Sequence, residues 1–176
     1  MIKTTLLVVA ALIAIVLVYA TTRPDHFRVV RSATIKAPPE RLHALINDMH
    51  AFNRWNPYAR KDPGMKGRYA GPASGTGAAY AWESEKVGTG SLEIIDSAAP
   101  RTVAMKLDFI KPFEAHNTAA FTIQPEAADA TRVTWSMQGP VPYVGKIMHL
   151  FFDMDRMVGK DFEEGLVNLK TLAEAG

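Results

Sequence analysis

The sequence contains no cysteine. Disulfide frameworks, thiolate nucleophiles and cysteine-ligated metal centres are therefore excluded, although both sides of a membrane tolerate such a chain. An excess of one charge is lacking too. The 20 Lys and Arg against 18 Asp and Glu leave +2, and the basic residues are scattered without interleaved aromatics, which excludes a nucleic-acid-binding stripe. Histidine is scarce: His26, His43, His50, His116 and His149 include no HxxxH or HxH pair, so no metal motif is present. The glycine-rich residues 71–77 are not followed by a Lys-Ser/Thr pair and do not make a phosphate loop. Ser84 and Ser136 carry no motif that places a His and an Asp beside them. No internal repeat is present. With 48% hydrophobic and 22% charged residues, the chain is not a disordered one.

What is present is first a long apolar run. Residues 6–20 are all apolar or Tyr, and the uncharged stretch covers residues 4–22. At about 1.5 Å per helical residue that stretch reaches roughly 28 Å, close to a hydrocarbon core of about 30 Å. A cleaved signal peptide would use Lys3 as its charged start and Val18-Tyr19-Ala20 as its cleavage site. A retained anchor fits the short charged region better and places Tyr19 at the interface. The expected division is a transmembrane anchor at residues 1–22 and one domain at 23–176, giving a single-pass membrane protein. The flanking charges, Lys3 and the terminal amine against Arg23, Arg28, Arg31 and Lys36, lean toward a cytoplasmic domain and leave both sides open.

Beyond the joint Arg23-Pro24-Asp25, residues 26–36 alternate as a strand, with Phe27, Val29, Arg31 and Ala33 facing one way. Ala37-Pro38-Pro39-Glu40 ends it and opens a helix bearing Leu42, Leu45, Ile46 and Met49. A short helical turn at 51–55 closes on Asn56-Pro57. Seven Gly and Pro residues within 60–77 allow at most one short strand. Strand-like stretches then follow at 78–86, 90–97, 102–109, 114–124 and 132–138, the spacing of an antiparallel meander. One long helix is expected over 144–173, with Ile147, Phe151, Met154, Val158, Phe162, Leu166, Leu169 and Leu172 at three- and four-residue steps. These elements predict an α+β fold whose curved antiparallel sheet grips that helix.

Alternation also predicts an inner face. Tyr80 and Trp82 share it, as do Leu92 with Ile94, Met105 with Phe109, Asn117 with Phe121, and Trp135 with Met137. Met148 and Phe152 lie on the helix opposite. The candidate ligand-binding residues are therefore Tyr80, Trp82, Met105, Phe109, Asn117, Trp135, Met137, Met148 and Phe152, since aromatic and Met-rich surfaces adapt to apolar shapes. A solidly filled core is the competing explanation of the same stripes. Asn117 is the single inward polar candidate. His116 and Glu114 fall on the opposite strand face, and Asp153, Asp155 and Arg156 fall mid-helix as surface pairs. No catalytic, metal-binding or cofactor-binding set emerges.

Several motifs carry a family resemblance. They are residues 35–40 (IKAPPE), Phe52 with Trp55-Asn56-Pro57, residues 107–114 (LDFIKPFE), residues 133–137 (VTWSM) and residues 159–166 (GKDFEEGL). From about Phe27 to Leu172 the chain resembles the SRPBCC superfamily of START-like helix-grip domains, within it the bacterial polyketide cyclase/dehydrase-like group. That resemblance implies about seven strands wrapped on the C-terminal helix with a deep apolar cavity between them. Together with the apolar N-terminal run, it leads to the expectation of a membrane-tethered binding module whose partner is a lipid or other apolar small molecule. The alternatives are a cyclase or dehydratase acting on an apolar substrate, or an envelope-interaction protein with a vestigial cavity.

Overall fold

A computed structural model describes residues 2–175. Period-two alternation becomes seven strands: β1 (His26–Ile35), β2 (Lys66–Ala70), β3 (Ala79–Ser84), β4 (Gly88–Ala98), β5 (Thr102–Lys111), β6 (Ala115–Ala127) and β7 (Ala130–Pro140). They form one antiparallel sheet in the order β1-β7-β6-β5-β4-β3-β2. Strands β2 to β7 are successive neighbours, and β1 closes the far side against β7 from His26 opposite Pro140 to Ile35 opposite Thr131. The face with Ile94, Val103, Met105, Ala119, Phe121, Ile123, Val133 and Trp135 is buried, while the alternate residues meet solvent.

Three short helices bridge β1 to β2: α2 (Pro39–Asn47), α3 (Met49–Trp55) and α4 (Pro57–Lys61). Each start has a local cause. Pro39 sits in the first turn of α2, where a missing N–H costs nothing. The Asp48 carboxylate accepts the N–H groups of His50 and Ala51 and caps α3. The Asn56 side chain accepts from Tyr58 N and caps α4. Asn56-Pro57 was expected only to close a helical turn; it also opens a new one.

The long C-terminal helix expected over 144–173 is two helices. They are α5 (Tyr143–His149) and α6 (Met154–Glu174), separated at residues 150–153. Asp153 lies at the start of α6, not mid-helix, and its carboxylate accepts the backbone N–H of Arg156 as an N-cap. The preceding chain tightens, with the N–H groups of Phe151 and Phe152 both donating to Met148 O. Asp155 is paired across the structure rather than along the helix. The guanidinium of Arg31 reaches it at 2.9 Å and Glu163 at 2.7 Å, fastening the first turns of α6 to β1.

Helix α6 buries Phe162, Leu166 and Leu169 against the sheet. Close approach depends on Gly165, because a Cβ there would lie 2.7 Å from the Trp135 ring. Trp135 and Phe162 consequently stack with centroids 4.0 Å apart and planes 7° from parallel.

The N-terminal run forms α1 (Ile2–Thr21), long and apolar enough to cross a membrane. Its side chains are exposed until the last turns, where Ala20 is buried. There it meets α5: the Tyr143 hydroxyl donates to Leu17 O at 2.8 Å. In the joint that follows, Asp25 accepts the Lys146 ammonium at 2.5 Å.

Candidate ligand-binding cavity

Curvature holds the inner face of the sheet away from α4, α5 and the start of α6, and the space between them is a cavity of about 780 Å³. That is within the range of about 300–1,000 Å³ typical of small-molecule sites. The nine candidate residues, seven expected on the inner face and Met148 and Phe152 on the helix opposite, all line this one cavity. Tyr80 and Trp82 enter from β3, Met105 and Phe109 from β5, Asn117 from β6, and Trp135 and Met137 from β7. Met105, Trp135, Met137, Trp82 and Asn117 are buried, whereas Tyr80 and Phe109 are half-buried. Met148, at 36% exposure on α5, and Phe152, at 54%, stand at the mouth. Phe152 lies in the break between α5 and α6, so it does not project from the same helix as the clamped α6 residues.

The wall includes residues that alternation did not mark. Phe52 comes from α3, Asn56 and Tyr58 from the α3–α4 corner, Met65 from the approach to β2, and Phe113 from the β5–β6 turn. None is in a strand, so no two-residue period pointed to them. Phe52, Asn56 and Phe113, all within the family motifs quoted above, were the ones with a signal.

Polar groups in the wall are few. Asn117 is buried, and among the described residues its carboxamide makes no hydrogen bond. Gly139 gives it room: a Cβ at that position would overlap the Asn117 carboxamide. The indole N–H groups of Trp82 and Trp135 are buried without an acceptor. The Tyr80 hydroxyl donates to Met65 Sδ at 3.6 Å, and burial raises its pKa. Burial first, then the Asp161 carboxylate, drives the Tyr58 phenol far above its ordinary value. Both phenols therefore stay protonated at neutral pH and cannot act as bases. Glu114 lines the cavity only at its exposed rim, 3.3 Å from His116. Among the described residues, no group of three or more His, Asp and Glu side chains is placed to hold a metal ion. The arrangement can desolvate and shelter an apolar body and offer it one neutral carboxamide, two indole N–H groups and the half-buried His149 ring.

His116 points outward, as alternation predicted, and its main partner is Asp108 at 2.7 Å. That bond raises its pKa. Burial pushes Asp108 upward, but hydrogen bonds from Lys106 and His116 outweigh it, and its pKa falls. His43, buried on α2 with Nε2 3.1 Å from Ser97 Oγ, is shifted downward by burial. The two histidines should thus titrate on opposite sides of 6.5. Their effects on stability oppose as well. The His116 contribution is complete below pH 6.5 and is lost as pH rises through its raised pKa. The His43 contribution is complete above pH 6.5 and is lost as pH falls through its lowered one. Imidazole NMR titration checks this, and coincident midpoints for the two rings would contradict the geometry.

Comparison with known proteins places the same residues in context. Residues 26–174 match the family described as polyketide cyclase / dehydrase and lipid transport. No match is found among curated proteins. Solved structures with the same fold include protein CV1439 from Chromobacterium violaceum, with 15% identity and a TM-score of 0.58, covering 86% of this chain and 99% of that one. The Aha1 dimer from Colwellia psychrerythraea is similar at 14% identity and a TM-score of 0.59, covering 84% and 96%. DynU16, a putative protein in the dynemicin biosynthetic locus, matches at 14% identity and a TM-score of 0.56, covering 86% of this chain and 48% of that one. At these identities the likeness is one of fold.

Proposed function

Because this chain belongs to the polyketide cyclase/dehydrase and lipid transport family, we propose that it is a membrane-tethered binding protein for a neutral, largely apolar small molecule or lipid. Residues 1–22 are the tether and residues 23–176 the binding domain. The observation that carries this reading is the cavity itself. It is large, walled by aromatic and Met side chains, without an interior charge among the described residues, and supplied with one unpartnered carboxamide, Asn117. Removing apolar ligand surface from water contributes about 25 cal/mol per Å². A buried ionised ligand group would find no counter-charge here, which selects against it. The tether reading is supported by an exposed α1 of spanning length. A cyclase or dehydratase would need a general acid and base facing the substrate; the inward phenols, held protonated, could serve as the acid only, and His149 and Glu114 are the other titratable groups in the lining.

Native mass spectrometry of the full-length protein is expected to show a co-purified apolar mass that unfolding releases. The emptied protein should bind neutral naphthalene fluorophores saturably, one per chain. Asn117→Leu should weaken a ketone-bearing fluorophore by about 1 kcal/mol, roughly fivefold in Kd. It should leave a carbonyl-free fluorophore of similar size unaffected. Absence of both co-purified ligand and saturable binding would overturn the proposal. Equal loss for the two fluorophores would remove Asn117 from it.

A further inference from the structure

We infer that the mouth of the cavity opens against the lipid bilayer, so that the ligand enters from the membrane and not from water. This rests on the reading of α1 as a membrane span. It adds where the cavity faces, which that reading leaves open.

The mouth carries apolar side chains that water does not ordinarily receive. Phe113 is 66% exposed and Val144 67%, and Met148, Phe152 and Met157 are also exposed, yet all five line the cavity. Phe151, next to Phe152 in the break between α5 and α6, is 70% exposed. An apolar rim of this kind marks a surface made for another apolar phase.

The position of α1 identifies that phase. Tyr143, the first residue of α5, bonds Leu17 O, and Leu17 is four residues from the end of α1 at Thr21. At about 1.5 Å per residue the contact lies roughly 6 Å inside the end of the helix. With α1 across a membrane, Tyr143 sits at the level of the headgroups beside Tyr19, the depth that tyrosine favours. Val144 follows directly. The Lys146–Asp25 pair fixes the same helix to the joint and neutralises a buried cation there. One lip of the mouth is therefore carried on the tether. The opposite lip, Phe113, is at the same end of the sheet, because β6 leaves it for the β6–β7 turn and β7 returns to Pro140.

The cysteine-free chain allows a direct test. Single nitroxide labels would be placed on the full-length protein in phosphatidylcholine nanodiscs through Phe113→Cys, Phe151→Cys, Leu12→Cys in α1 and Asp129→Cys in the β6–β7 turn. Labels at positions 113 and 151 should behave like the label at 12, open to oxygen and severalfold less accessible to a water-soluble nickel chelate than the label at 129. Nickel access at 113 and 151 with 12 protected would overturn the inference and leave the tether standing. Nickel access at 12 as well would remove the tether and the inference together. Spin coupling between copies at 113 or 151, with both reagents excluded, would assign the rim to a second copy of the chain and also overturn it.

Discussion

Phe162→Ala is expected to lower the unfolding free energy by about 3–5 kcal/mol, a large share of a typical total of about 5–15 kcal/mol. The Phe162 ring is buried on α6 and stacked on Trp135, so its removal leaves an indole without its facing partner and α6 without its central clamp. Met148→Ala and Phe152→Ala should behave differently. Both residues are exposed at the mouth, their contacts are already incomplete, and each truncation should cost about 1 kcal/mol or less. Fluorophore binding should instead weaken more in these two variants than Phe162→Ala weakens it relative to its loss of stability. Denaturant unfolding and binding isotherms on the full-length protein separate the two ends. Equal destabilisation at both, with binding unchanged, would mean that no cavity exists.

Ala119→Phe should abolish saturable binding while leaving the protein folded. Ala119 faces Met105 on β5 and Met137 on β7 in the sheet register, and all three line the cavity. A phenyl ring there projects into empty space, where it gains contacts in place of a void. In a filled core the same change would be overpacking and would cost about 1–3 kcal/mol. Thermal stability that holds or rises, together with lost binding, is the expected pair. A destabilised protein that still binds would show that the volume lies elsewhere.

The sheet was legible because its signal is local: a two-residue period names the inner face without reference to any partner. Met105, Phe109, Asn117, Trp135 and Met137 were placed together on that basis, and a three- and four-residue apolar period supplied the helix they wrap. The interruption at residues 150–153 was hidden for a physical reason. Ile147, Phe151, Met154 and Val158 keep helical spacing straight through it, although of the four only Met154 and Val158 line the cavity. The signal against continuity was Asp153, whose carboxylate competes for backbone N–H groups and favours a helix start over an interior. Pro57 is a similar case: the proline that ends one helix is as well suited to the first turn of the next. The match between Gly139 and Asn117 was beyond local reading. It depends on the pairing of β6 with β7, which brings together residues distant in sequence.

The joint between α1 and β1, residues 22–25, has a consequence for delivery. Four residues fully extended reach at most about 14 Å, and Lys146 holds one of them. If α1 spans a bilayer as proposed, a domain on so short a leash cannot cross an aqueous gap to a second membrane. Its cargo can only be loaded and handed over locally, to lipid or to a neighbour touching the same leaflet. Encounters are then confined to diffusion in two dimensions, and the rate of transfer follows the surface density of acceptor and not its bulk concentration.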